Sequence, residues 1–133
     1  MVEQRNSVKQ APCVLLVDDN LAVRRAIKLL LQTCHYEVRE YSRATDLLSD
    51  KRGRTGCCLI TDYWMPKING LELLQRLRTT GWRGPAILIT GHLEPDLAQR
   101  AIAWGFCAVI EKPITDMRLV DLLKECLSAP IAT

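Results

Sequence analysis

No apolar run in this sequence is long. Cys13 to Val17, Ala86 to Ile89 and Cys107 to Ile110 stand out, all far short of the roughly 20 residues that a bilayer crossing needs. Met1 to Gln10 is polar and has no apolar core of the kind a secretory leader carries. The expected localisation is therefore cytoplasmic, with no membrane among the partners. Aromatics are scarce, with one Phe, three Trp and three Tyr, and they do not interleave with basic residues. That argues against stacking on nucleic-acid bases. An excess of one charge is also missing: the net charge is only +3, and Arg24, Arg25 and Lys28, then Lys51, Arg52 and Arg54, then Arg76 and Arg78 are dispersed. Direct nucleic-acid binding has no electrostatic footprint here. Six cysteines, at 13, 34, 57, 58, 107 and 126, form no C-x-x-C and no Cys/His cluster. Cys13, Cys57, Cys58 and Cys107 lie in or beside apolar runs, where a reduced Cys behaves as a small hydrophobe. The cysteines are read as reduced, mostly buried thiols.

What is present is an alternation of short apolar runs with longer helical patterns, in a chain of 133 residues that suits one domain. Cys13 to Val17 reads as a strand covered on both faces. Asn20 can cap a helix that places Val23, Ile27, Leu30 and Leu31 on one face. Tyr36 to Tyr41 reads as a strand, Arg43 to Asp50 as a short helix with Leu47 and Leu48, and Lys51 to Gly56 as a loop. A third strand, Cys57 to Thr61, runs into Asp62. Gly70 to Thr79 is a helix with Leu71, Leu74 and Leu77 inward, and Ala86 to Ile89 the fourth strand. Glu94 to Trp104 is a helix with Leu97, Ala101 and Ile102 on one side, stopped by Gly105. Cys107 to Ile110 is the fifth strand, and Asp116 to Leu127 a last helix with Leu119, Leu122, Leu123 and Leu127 for packing. Five strands alternating with five helices imply right-handed crossovers and a parallel sheet with helices on both faces, an α/β fold.

In such a sheet, ligands gather at the carboxyl ends of the strands. Asp18 and Asp19 follow the first strand, Asp62 the third, Thr90 and Gly91 the fourth, and Lys112-Pro113 the fifth. Three carboxylates on one edge repel one another unless a cation sits among them. A hard divalent ion such as Mg²⁺ suits those oxygens, and Lys112 can neutralise remaining charge and donate to a phosphate. Thr90 offers a hydroxyl, and Gly91 an unobstructed backbone N–H. These are the parts that phosphoryl transfer requires, with Asp62 best placed as nucleophile.

Four motifs carry a resemblance to a known family: Leu16-Val17-Asp18-Asp19-Asn20; Thr61-Asp62-Tyr63-Trp64-Met65-Pro66 with Gly70 eight residues after the aspartate; Ile89-Thr90-Gly91; and Glu111-Lys112-Pro113. In that order, over about residues 13 to 127, the chain resembles the receiver domains of response regulators in two-component signalling. The resemblance implies a flavodoxin-like doubly wound fold with sheet order 2-1-3-4-5. It divides the chain into a flexible arm (1–11), a receiver domain (12–128) and a tail (129–133). It further implies that Asp62 is the phosphoacceptor and that Asp19, Asp62 and the backbone carbonyl of Trp64 hold Mg²⁺, with Asp18 helping through water. Thr90 would be the switch hydroxyl, Lys112 the phosphoryl partner, and Pro113 the far side of a cis Lys-Pro bond. The implied partner is a sensor histidine kinase or a histidine phosphotransfer protein. A homodimer through the fourth helix, fifth strand and fifth helix is an open possibility.

Two positions depart from that family's pattern. Val109 stands three residues before the lysine, where the family commonly has Tyr or Phe, so a ring swing cannot report the switch. Trp64 is bulky where water would approach the acyl phosphate, and can shield the phosphoryl group or contact a partner. His92, in the same loop as Thr90, reads as a solvated side chain flanking the site. Only a few residues follow the last helix, so the reading is a single-domain receiver that is not a turnover enzyme. A phosphate sink and a constitutive pseudo-receiver are the alternatives within the fold. An aspartate-nucleophile phosphatase wants an acid where Trp64 stands, and a flavodoxin-like cofactor binder wants a phosphate loop after the first strand.

Overall fold

Residues 12–114 and 117–128 are described by a computed structural model of the chain. The proposed arm, the tail and the predicted start of the last helix at Asp116 lie outside them. The strands are β1 Cys13–Val17, β2 Glu37–Tyr41, β3 Cys58–Asp62, β4 Ala86–Thr90 and β5 Ala108–Glu111. They form one parallel sheet in the order β2-β1-β3-β4-β5. The helices are α1 Leu21–Thr33, α2 Ala44–Ser49, α3 Gly70–Thr79, α4 Pro95–Ala103 and α5 Arg118–Ser128. Among the described residues no helix is long and apolar enough to cross a membrane.

The sheet separates two cores, because alternate side chains of a strand leave opposite faces. Leu15, Val17, Leu59 and Leu88 pack with α2, α3 and α4 on one side. Val14, Leu16, Ile60, Ile87, Ile89 and Ile110 meet Ile27 and Leu31 of α1 and Leu119, Val120 and Leu123 of α5 on the other. Burial of both faces is why these strands read as unbroken apolar runs.

Local signals set the helix ends. Asn20 accepts from Val23 N at 3.0 Å and caps α1. Asn69 and Glu72 bond each other's backbone N–H in a reciprocal capping box at the start of α3. Gly105, just past α4, takes φ +112°, where a side chain is disfavoured.

Three expectations need correction. The stretch after α2 is no open loop: Lys51–Thr55 winds into a 3₁₀ turn, with Asp50 accepting from Arg52 N. Ile102 does not join Leu97 and Ala101 in the core but stands 53% exposed, because α4 is one-sided and Ile102 falls past its edge. The thiols are not all reduced: Cys107 and Cys126 form a disulfide, with Cα atoms 6.4 Å apart. They stand 19 positions apart in sequence, and it is the fold-back of α5 onto the sheet that brings the strand entrance beside the helix's last turn. Cys13, Cys34, Cys57 and Cys58 are free, and of these only Cys58 is fully buried.

Candidate functional site

β1 and β3 are neighbours, with Val17 in register with Thr61, so the residues leaving their carboxyl ends meet. Asp18, Asp19 and Asp62 each present a carboxylate oxygen within 4.8 Å of the others. Lys112 directly follows the end of β5 and precedes a cis bond to Pro113. Its Nζ lies 3.0 Å from Asp18 Oδ2 and 3.4 Å from Asp62 Oδ2. Asp18 and Asp62 are buried and Asp19 is exposed, so the cluster has a dry floor and an open rim.

Charge and burial decide how the acceptor behaves. Removal from water pushes the Asp62 carboxyl up to about 6, and the adjacent Asp18 charge adds to that; Lys112 works in the opposite direction. Asp18 is only half satisfied. Its Oδ1 accepts from Asn20 N at 2.9 Å, whereas its buried Oδ2 has no hydrogen bond of suitable direction beyond the ion pair to Lys112. An orphaned carboxylate oxygen facing two other carboxylates fits a small hard cation better than it fits a lysine alone.

Thr90 is fully buried at the end of β4. Its hydroxyl turns into its own loop, donating to His92 O at 3.2 Å and accepting from His92 N at 3.3 Å. Lys112 N donates to Thr90 O at 2.7 Å, which ties the β4 and β5 ends together. A Cβ built on Gly91 would meet nothing, so the loop is roomy there. The His92 ring is exposed, with Nε2 3.5 Å from Glu94 Oε2. Val109 is partly buried and packs against the α3/α4 core. Trp64 is 66% exposed and sets its ring edge-on to Tyr63, with centroids 4.9 Å apart.

Gly70 is the motif residue whose side chain the site forbids. A Cβ there would lie 2.6 Å from Asp62 O and 2.8 Å from Leu88 Cδ1, and Gly70 N donates to Tyr63 O at 3.0 Å. The start of α3 is thereby pressed against the acceptor's own backbone.

Two supports were not visible in the sequence. Arg24 Nη1 donates to Asp18 O at 2.9 Å while its Nε donates to Glu40 at 2.9 Å; Lys28 completes the group, and its hydrogen bond holds the Glu40 carboxyl below the usual range. Arg24 is four residues after the Asn20 cap, a spacing that placed it on the first turn of α1 but not its reach. Arg100 of α4 donates from Nη2 to Tyr63 OH at 3.4 Å, linking α4 to the residue after Asp62. No periodicity announces that contact.

Known proteins bear on this geometry. Transcriptional regulatory protein FixJ of Azorhizobium caulinodans is 32% identical over 114 residues, covering 86% of this chain and 54% of that protein. Response regulator protein TmoT of Ectopseudomonas mendocina is 33% identical over 119 residues, covering 89% and 54%. The chain spans about half the length of these curated relatives. The crystal structure described as FixJ-N superposes with TM-score 0.79 at 30% identity over 93% of this chain and 99% of that one. The chemotaxis protein CheY4 of Vibrio cholerae superposes with TM-score 0.80 at 25% identity, covering 87% and 98%. Residues 14–124 match the response regulator receiver domain, and the chain belongs to that family of two-component signalling domains.

Proposed function

We propose that this chain is a phosphorylatable switch in which Asp62 accepts a phosphoryl group from a phosphohistidine on a sensor kinase or a phosphotransfer protein. The observation that carries this reading is the meeting of Asp18, Asp19 and Asp62 around Lys112 Nζ at the ends of the two central strands. Asp19, Asp62 and the backbone carbonyl of Trp64 are the groups that would hold Mg²⁺, and Asp18 would support it from beside them. When bound, Mg²⁺ offsets the charge of the carboxylates and of the incoming phosphoryl oxygens.

A carboxylate oxygen of Asp62 bonds to phosphorus as the N–P bond of the phosphohistidine breaks, and the freed imidazole nitrogen regains a proton from water. Lys112 leaves its ion pairs with Asp18 and Asp62 and pairs with a phosphoryl oxygen. Thr90 gives up its contact with His92 O and donates to another, and the Gly91 backbone N–H, with no side chain in its way, stands beside it. The protein turns over no external substrate in this reading, since the group accepted is held as the signal. An acid two residues after the nucleophile, as a phosphoester phosphatase needs, is replaced by Trp64.

Movement of Thr90 draws on the β4–β5 ends and on α4, so the α4–β5–α5 face carries the output. α4 carries an open surface hollow lined by Ala98, Gln99, Ile102 and Ala103, with Ile102 and Trp104 exposed; a homodimer is one of the outputs this reading allows. We place the protein in the cytoplasm, where a kinase's phosphohistidine is reached.

The test is intact-protein mass after incubation with acetyl phosphate and Mg²⁺, wild type beside Asp62→Asn. Addition of one phosphoryl group, absent in the variant and abolished by EDTA, is the expected result. No addition to the wild type, repeated with a phosphorylated kinase as donor, leaves a constitutive binding module as the better account.

A further inference from the structure

The Cys107–Cys126 bond is placed differently from the other thiols. Cys107 is exposed and sits just before β5, an edge strand; Cys126 is half-buried in the last turn of α5. The side chains that anchor α5 to the sheet are Leu119, Val120 and Leu123, all fully buried in its first half. Beyond them, among the described residues, only Cys126 and Leu127 touch the core, and both are partly exposed. The disulfide therefore ties down the last turn beside the partly buried Leu127, whereas the first half of the helix has fully buried anchors of its own.

Three of the four remaining cysteines are poor competitors. Burial raises the Cys13, Cys57 and Cys58 thiols above the usual range, which starves them of the thiolate that attacks disulfides. Cys107, by contrast, is an exposed residue, the setting in which disulfides exchange most readily with small thiols.

We propose that Cys107 and Cys126 form a reversible redox site, through which low-molecular-weight disulfides of the glutathione class fasten the end of α5 to β5 and the corresponding thiols release it. In the forward direction the Cys107 thiolate attacks the disulfide, forming a mixed disulfide and expelling one glutathione thiolate. Cys126, having lost its proton to water, then attacks the Cys107 sulfur and expels the second. Two protein thiols are oxidised by two electrons, and one oxidised glutathione becomes two reduced ones. The reverse exchange restores both thiols.

The test uses the full chain equilibrated across ratios of oxidised to reduced glutathione, trapped by alkylation and mapped by peptide mass. The expected result is one intramolecular bond, joining Cys107 to Cys126, that appears at oxidising ratios and is removed by dithiothreitol in the folded protein. Cys107→Ser and Cys126→Ser each abolish it, and Cys34→Ser does not. Amide exchange of residues 124–128 quickens roughly tenfold or more on reduction, while that of 119–123 is unchanged. A bond absent at every ratio, a different pairing, a bond that yields only after unfolding, or identical exchange in the two states overturns the proposal. Asp62→Asn protein gives the same outcome, which keeps this result separate from the fate of the phosphoacceptor reading.

Discussion

In protein freed of divalent cations, replacing Asp62 by Asn removes a charge that its surroundings disfavour, and the size of the effect follows from the titration. The Asp62 carboxyl stands at about 6 in the folded protein against 3.8 as the ordinary value. Below about pH 3 the group is largely protonated in both states and contributes little difference. As pH rises, the unfolded chain ionises first while the folded protein still holds the proton, so stability falls until the folded group has also ionised, above about pH 7. The loss is the difference in pKa times 1.36 kcal/mol, or about 3 kcal/mol. Asn is neutral throughout and escapes it. Urea unfolding of Asp62→Asn and wild type should thus show a stability difference that grows by about 3 kcal/mol in favour of the variant between about pH 3 and pH 7.5. In thermal terms this is about 10 °C at neutral pH for a domain of this size. Mg²⁺ should raise the wild type far more than the variant. A difference that stays constant across the pH range would refute the argument, because it would mean that packing rather than charge sets the effect.

Trp82 is 5% exposed, donates from Nε1 to Gly56 O at 2.8 Å and lies under the Arg78 guanidinium, 5.1 Å from the ring centroid. Trp82→Ala should cost about 3–5 kcal/mol and Trp82→Phe about 1–2 kcal/mol in urea unfolding; a Trp82→Phe cost near zero would show that the hydrogen bond contributes nothing. At the site, Trp64→Asn should shorten the lifetime of the phosphorylated protein severalfold, read by decay of the phosphoryl mass. An unchanged lifetime removes the indole as a shield.

Much of the fold is legible in the sequence because it rests on local signals. Cys13–Val17 and Gly70–Thr79 have the bounds that their apolar patterns predict, and the other strands begin or end within one residue of expectation. The acidic cluster is legible for a related reason: parallel topology sends the residue after every strand to one edge. What escaped depends on contacts between elements remote in sequence. Trp82 lies in a Gly- and Pro-marked connection that reads as loop, yet it fills a slot beside Gly56. Arg100 reaching Tyr63, Arg24 bracing Asp18 and the Cys107–Cys126 pair all require knowing which helix lies over which strand. Ile102 was assigned inward by spacing alone, and one residue of rotation is enough to carry it to the surface.

The sheet order has a mechanical consequence. β1 and β3, whose ends carry Asp18 and Asp62, are each clasped by a strand on both sides, whereas β5 is held by β4 alone. Lys112 is the residue that joins the two regions, rooted at the free margin and reaching over the fixed middle. In the proposed switch, a change of charge at the centre would therefore reach first the strand with a single neighbour, as load on a plank clamped along its midline is felt at the unsupported edge.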